Sequence, residues 1–402
     1  MVAGSTSAGL TMLSLSPTEI RAFAYISDAM WAGAGQHLRS ARTHAYEGAG
    51  TERVSGMKIL LLGGSSFLGR AFASQALDRG HEVTTFNRGV SAADPEGVEA
   101  VRGDRDRADD LARLADGRSW DAVVDTSAQQ PAQVALSARL LRERAGHYTF
   151  VSSVHAFADW PAQVVTEDSP THPCPADTPP DQPFSAALKA GCERAVLETF
   201  GAGRTMILNS GLLIGPYENG GRLPWWLERM ARGGRVLAPG DPKRTMQVID
   251  VRDFAAFGLD LLTAGAAGRY VTTAPPGRLT FGEWLETCRQ VAGAPDTELV
   301  QVDDASLLAE GPDKVEPWSE LPLWAPDLPE MAGVWLADTT RAEAAGLRCR
   351  PFPETARDTW DWLRTRGPAE DTDAEGRKGR PGARVLQGIE PAKEQRLLAT
   401  HG

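Results

Sequence analysis

Residues 58–89 read KILLLGGSSFLGRAFASQALDRGHEVTTFNRG. Ile59–Leu62 is a short apolar run of the kind that forms a buried strand, and Phe67–Arg79 has helical spacing. Glu82–Phe86 reads as a second strand. Between the first strand and the helix stand Gly63, Gly64 and Gly69, with Ser65, Ser66, Phe67 and Leu68 filling the turn. Backbone N–H groups at such a turn, together with the helix dipole, make a seat for a pyrophosphate. Gly69 would let the helix approach the strand closely. The second strand ends in Asn87 and Arg88. An NAD site favours an acidic residue there to accept from the ribose hydroxyls, whereas an arginine fork can pair with a 2′-phosphate. The expected cofactor is therefore NADP, with NAD as the alternative.

Beyond residue 89 the strand–helix alternation continues. Strands are expected at 97–102, 120–125, 147–152 and 205–208, with helices at 111–114, 131–144 and 184–200. Apolar strands alternating with helices imply an α/β fold: a Rossmann-type doubly wound parallel sheet covered on both faces. Past residue 210 the texture changes to Gly- and Pro-rich loops with helices near 223–232, 252–264, 281–292 and 355–364. This suggests a smaller C-terminal substrate lobe. The expected organisation is an N-terminal extension over 1–56, partly helical (18–41) or disordered, and a dinucleotide-binding core over 57–210. A mixed lobe over 211–366 with segments returning to the core, and a tail over 367–402 with a helix near 391–398, complete it.

The net charge is -11 and the sequence pI about 5.2, a balance that argues against a general grip on nucleic acid. The four cysteines are far apart and the seven histidines occur singly, so neither a disulfide framework nor a metal site is expected. No apolar run is long enough to span a membrane, and residues 1–20 lack the features of a signal peptide. A cytoplasmic protein acting on a small molecule is expected. A homodimer is one use for the leading helix.

Several motifs, GGSSFLG, FNRG, GDRD, WDAVVDTS, FVSS, IGPY, GGRVLAPG and QVIDVRD, together resemble the atypical and extended short-chain dehydrogenase/reductases of the NAD-dependent epimerase/dehydratase family. The resemblance covers roughly residues 57–366. It implies that Thr126 and Ser127 lie beside the nicotinamide ribose and that Asp250 and Asp253 join lobe to core. Asp104, after the third strand, reads either as an acceptor for the adenine amino group or as a cap for the next helix.

The family's catalytic set is a Ser or Thr at the end of the fifth strand, a Tyr, and a Lys four residues later. A phenol near pKa 10 needs a neighbouring cation to act at neutral pH, and an i, i+4 spacing places both groups on one helical face. By this resemblance Ser153 is the serine, with Phe157 in place of the usual strand-end tyrosine, and Lys189 is the lysine. Position 185 is Ser185, a poor direct replacement for a phenol. His155, which titrates near neutrality in the open, and Tyr217 are the leading candidates for another proton donor. Asp159, His172, Cys192 and Glu218 are further candidates, with packing the expected role of Cys192.

A second departure is Asn209-Ser210-Gly211: the bacterial reductase-like branch of the family that GGSSFLG and FNRG resemble usually carries Arg-Pro-Gly there, so the resemblance implies that a rigid cation is missing. With Gln129 and Gln130 this suggests a reshaped pocket. Trp225, Trp226 and Arg229 either cover that pocket or form lobe core. Three functions fit: an NADP-dependent reductase of a small carbonyl or alcohol metabolite; a redox-neutral epimerase, dehydratase, lyase or cyclase; or a nucleotide-binding protein without catalysis.

Overall fold

A computed structural model of the chain describes residues 56–180, 185–365 and 388–401. The expected helix at 18–41, Phe184 and the polar stretch 367–387 lie outside them. The first half alternates as expected: β1 (Lys58–Leu62), α1 (Phe67–Asp78), β2 (Glu82–Asn87), β3 (Glu99–Arg102), α2 (Ala108–Ala115), β4 (Trp120–Asp125), α3 (Pro131–Leu141), β5 (Ala145–Ser153), α4 (Ala186–Phe200) and β6 (Thr205–Ser210). Then follow β7 (Leu212–Ile214), α5 (Arg222–Ala231), β8 (Arg235–Pro239), β9 (Thr245–Met246), β10 (Val248–Asp250), α6 (Val251–Thr263) and β11 (Gly268–Thr272). The last elements are β12 (Leu279–Thr280), α7 (Phe281–Ala292), β13 (Glu298–Val302), α8 (Asp304–Leu308), α9 (Thr340–Ala344), α10 (Phe352–Thr365) and α11 (Pro391–His401).

Seven parallel strands form the main sheet in the order β11-β6-β5-β4-β1-β2-β3. The pleat explains the continuous apolar run of β1. Ile59 and Leu61 pack with Phe72, Phe254 and Phe257 on one face, while Leu60 and Leu62 pack with Leu141 and Val196 on the other. The strand order reverses between β1 and β4, where Leu62 pairs with Asp125. Ligands of open α/β sheets bind at that reversal, beyond the carboxyl ends of the strands.

The lobe has its own core around Trp226, Trp284, Trp324 and Phe281. Trp225, Trp226 and Arg229 belong to this core rather than to a cover over a pocket. Trp226 Nε1 donates to the Pro322 carbonyl at 2.7 Å, and Arg229 Nε donates to Glu394 of α11 at 2.8 Å. α11 thus docks onto the lobe. Asp250 and Asp253 work at the junction: Asp250 caps α6 and accepts from Arg252 and Thr355, and Asp253 accepts from Arg350.

Candidate dinucleotide and substrate site

The turn after β1 is shaped by its glycines. Gly64 has φ +100°, and a Cβ on Gly69 would lie 2.5 Å from the Gly64 nitrogen and 2.7 Å from its Cα. Both are backbone atoms, so helix and turn touch at a distance only glycine permits. The Gly63 N–H donates to the Phe86 carbonyl at 3.0 Å, and the Thr126 hydroxyl donates to the Leu62 carbonyl at 3.2 Å. Phe67 and Leu68 anchor α1 in the core. Ser65 and Ser66 are buried at its start, and Ser66 Oγ has no hydrogen-bond partner. An orphan hydroxyl beside a helix N-terminus fits a phosphate oxygen.

Beside the turn opens a cleft of about 430 Å³ lined by Gly63, Ser65, Arg88, Asp104, Ser127 and Gln129 among others. Asn87 faces inward. Its Nδ2 donates to the Gly63 carbonyl (3.2 Å) and to Asp94 (2.8 Å), and its Oδ1 accepts from the Gly89 N–H (2.8 Å) and from Arg102 (2.7 Å). Every hydrogen-bonding atom of the amide is therefore engaged within the protein. Asp94 is also held by Arg102 and Thr85. Burial, which opposes its charge, is outweighed by these donors, and its pKa falls below the usual carboxylate value. Arg88 is exposed on the cleft rim and makes no hydrogen bond among the described residues. Asp104 Oδ1 accepts from the Asp106 N–H at 3.0 Å. The N-cap of α2 is Arg107, with no side-chain cap, so the capping role considered for Asp104 is not the one observed.

Arg105, in the same loop, is a residue that motif reading missed. Its guanidinium forms a two-pronged pair with Asp125 at 2.8 and 2.9 Å, and reaches Ser127 (2.9 Å) and Ser137 (3.0 Å). The Tyr148 hydroxyl donates to Asp125 at 2.7 Å. Burial would raise the Asp125 pKa, but Arg105 and these donors hold it low, and Asp125 in turn raises that of Arg105. The buried Asp125 carboxylate thus fixes Arg105, which lines the cleft.

At the other end of the crevice, Ser153 closes β5. Its Oγ accepts from the His155 N–H at 3.3 Å. Lys189 Nζ donates to the Ala128 carbonyl at 2.8 Å and lies 5.4 Å from the centre of the Phe150 ring. Burial pulls the Lys189 pKa below the usual lysine value, against the raising influence of Cys192, Asp125 and Glu193. Ser185 is the exposed N-cap of α4, in extended backbone, so the shared helical face expected for residues 185 and 189 stops one residue short. The arginine missing at position 209 does not leave the site without a cation. Arg269 on β11 donates to Asn209 Oδ1 at 2.8 Å and to Glu193 at 2.6 Å.

His155 does not titrate near neutrality here. It is buried against Trp160, with ring centres 4.2 Å apart. Burial first, and the charges of His172, Arg222 and Lys189 after it, lower its pKa to about 3, and its Nε2 has no hydrogen-bond partner. A histidine with its folded pKa below its unfolded one stabilises the protein fully above about pH 6.5 and loses that contribution as the pH falls toward 3. His155→Asn is therefore expected to be less acid-sensitive than wild type. Urea unfolding at pH 7 and pH 4 should show the wild type losing about 3 kcal/mol more over that interval.

The other candidates take separate places. The Tyr217 ring, at a left-handed residue (φ +68°), lies 4.7 Å from the Arg70 guanidinium and 5.3 Å from Trp362. It makes no hydrogen bond to Ser153, Ser185 or Lys189 among the described residues. Glu218 accepts from the Arg222 and Leu223 N–H groups and caps α5; burial raises its pKa against the pull of Arg222. The His172 N–H donates to the Ala156 carbonyl, and burial lowers its side-chain pKa. Asp159 is exposed. Cys192 is fully buried, its thiol pushed up to about 12 by burial. No group of three or more potential metal ligands occurs, and no helix is long and apolar enough to cross a membrane, among the described residues.

Comparison with known proteins agrees with this architecture. A 2′-dehydrokanamycin reductase of Streptomyces kanamyceticus is 28% identical over 63% of this chain and 74% of its own length. A 2-alkyl-3-oxoalkanoate reductase of Stenotrophomonas maltophilia is 30% identical over 52% of this chain and 68% of its own. The Bordetella bronchiseptica enzyme WbmH, solved with NAD+, superposes with a TM-score of 0.57 at 16% identity over 77% of this chain and 98% of its own, and so shares the fold. A family model matches residues 59–272, more than half of the chain. The chain belongs to the NAD dependent epimerase/dehydratase family.

Proposed function

We propose that the protein is an NADP-dependent reductase of a small carbonyl metabolite that works without a phenolic proton donor. The observation that carries the cofactor preference is the end of β2, where Asn87 is turned inward and Arg88 stands exposed on the cleft rim. The turn from Gly63 to Gly69, Arg88, Asp104, Thr126, Ser127 and Lys189 would hold the dinucleotide. When bound in its reduced form it supplies a hydride for a carbonyl carbon. Ser153 Oγ–H donates to the carbonyl oxygen and holds it in place. The half-buried Lys189 ammonium stabilises negative charge developing on that oxygen, and its proton passes to it through a water held at the exposed Ser185 hydroxyl. His155 stays neutral and serves as a wall. The reductions named for the two relatives support this reading over the redox-neutral one. On this reading the enzyme is cytoplasmic and needs neither nucleic acid nor membrane.

Arg88→Ala is expected to weaken NADPH binding by about 10- to 100-fold, the loss of a charge-assisted contact, and to leave NADH binding unchanged. Calorimetric titration of both nucleotides checks it. Incubation with NADPH and a panel of ketones and aldehydes tests the reaction type. The reading requires near-ultraviolet absorbance of the reduced cofactor to fall in step with alcohol formed. Substrate conversion with no net cofactor change would instead make the protein an epimerase- or lyase-type enzyme.

A further inference from the structure

Glu193 lies one turn beyond Lys189 on α4 and is only 2% exposed. Its Oε1 accepts from Ser152 Oγ at 2.5 Å and from Asn209 Nδ2 at 2.8 Å, and its Oε2 accepts from Arg269 Nη2 at 2.6 Å. Asn209 Nδ2 also donates to the Ser153 carbonyl at 3.0 Å, while Asn209 Oδ1 accepts from Arg269 Nη1 at 2.8 Å. One closed network therefore joins α4, β5, β6 and the edge strand β11. It ends on the backbone of the serine proposed to hold the substrate oxygen. Its helical member sits on the same side of α4 as Lys189, four residues away.

Stability alone is a weak reason for such a pair. A buried ion pair is often no better than apolar residues of the same volume, and its best-attested use is to fix one arrangement among several. Here that arrangement is the alignment of α4 with the end of β5. Arg269 reaches position 209 from the neighbouring strand, with Val271 paired to Asn209 in the parallel register. A short amide at 209, fully buried, leaves room for the incoming guanidinium and relays it to Ser153.

We propose that Glu193 and Arg269, acting through Asn209, are positioning residues that hold Ser153 and Lys189 in register, and that β11 is thereby part of the active site. The inference rests on the reading of Ser153 and Lys189 as the reacting shelf. It predicts that the two residues matter to the nicotinamide half of the cofactor and not to the adenosine half.

The test compares two probes on the full chain: NADPH, which spans the crevice, and adenosine 2′,5′-bisphosphate, which occupies only the adenosine end. Glu193→Gln and Arg269→Met are each expected to weaken NADPH by about 3- to 30-fold while leaving the bisphosphate unchanged. Should Arg269→Met fail to fold, Arg269→Lys keeps the charge without the fork and should show the same selective loss in smaller measure. Equal weakening of both probes, or no weakening of either, overturns the inference. Lys189→Met separates the two levels: if it too leaves the ratio of the affinities unchanged, or the wild type binds neither probe, the shelf reading itself falls. If it lowers the ratio while the Glu193 and Arg269 variants do not, only the positioning role falls.

Discussion

Gly69→Ala should cost the protein about a hundredfold or more in dinucleotide affinity. The added methyl would sit 2.5 Å from the Gly64 nitrogen and 2.7 Å from its Cα. Neither atom belongs to a side chain that can swing aside. α1 cannot retreat either, because Phe67, Phe72 and Ala76 lock it into the core beneath β1. The remaining relief is to move the turn itself, the backbone whose N–H groups would face the pyrophosphate. Overpacking of this kind costs about 1–3 kcal/mol of stability in its own right, and displaced donors add the loss of several charge-assisted bonds in the complex. Gly203→Ala is the control. A Cβ there meets nothing within 4 Å, and the residue precedes β6, at the end of the strand away from the crevice. Titration with NADPH, alongside thermal melting, should show the first variant impaired on both counts and the second unaffected.

Lys189→Met should lower turnover by about 10²- to 10⁴-fold, the range typical of a lost general acid. The expected pH dependence has a definite sign. The ammonium form is the active one, so the rate falls as pH rises through the lysine's pKa in the folded protein. Burial places that pKa below the ordinary lysine value, so the alkaline limb comes earlier than a free lysine would give. Its neighbours limit the shift: Asp125 on β4 and Glu193 on α4 favour the charged form, and Arg105 opposes it. His155 contributes no limb near neutrality, since burial keeps it from forming an imidazolium there. A pH–rate profile of the wild type, with a carbonyl substrate found by the panel, checks the direction. A limb near pH 6.5 that vanishes in His155→Asn would transfer the acid role to the histidine.

The architecture was legible in the sequence because it is written locally. A four-residue apolar run, three glycines and a helical repeat determine β1, the turn and α1 within twenty or so residues, and the pleat then divides Ile59 and Leu61 from Leu60 and Leu62. The shelf was legible only as resemblance. What escaped was carried by pairs distant in sequence: Arg105 with Asp125, twenty residues apart, and Glu193 with Arg269, seventy-six apart. No spacing rule links such positions before the sheet order is known. The same applies to His155, whose ordinary titration is removed by burial, and to Tyr217, whose ring follows a left-handed backbone toward Arg70. The resemblance implies a cation lost at 209, yet a guanidinium, that of Arg269, reaches Asn209 from the neighbouring strand.

The crevice between β1 and β4 is proposed to take a dinucleotide and to select the 2′-phosphate. Calorimetric titration of the wild-type protein with NADPH and with NADH tests it most directly. One site per chain is expected, with NADPH bound about tenfold or more tighter than NADH. NADH binding as tightly as NADPH, or no binding of either, would contradict it.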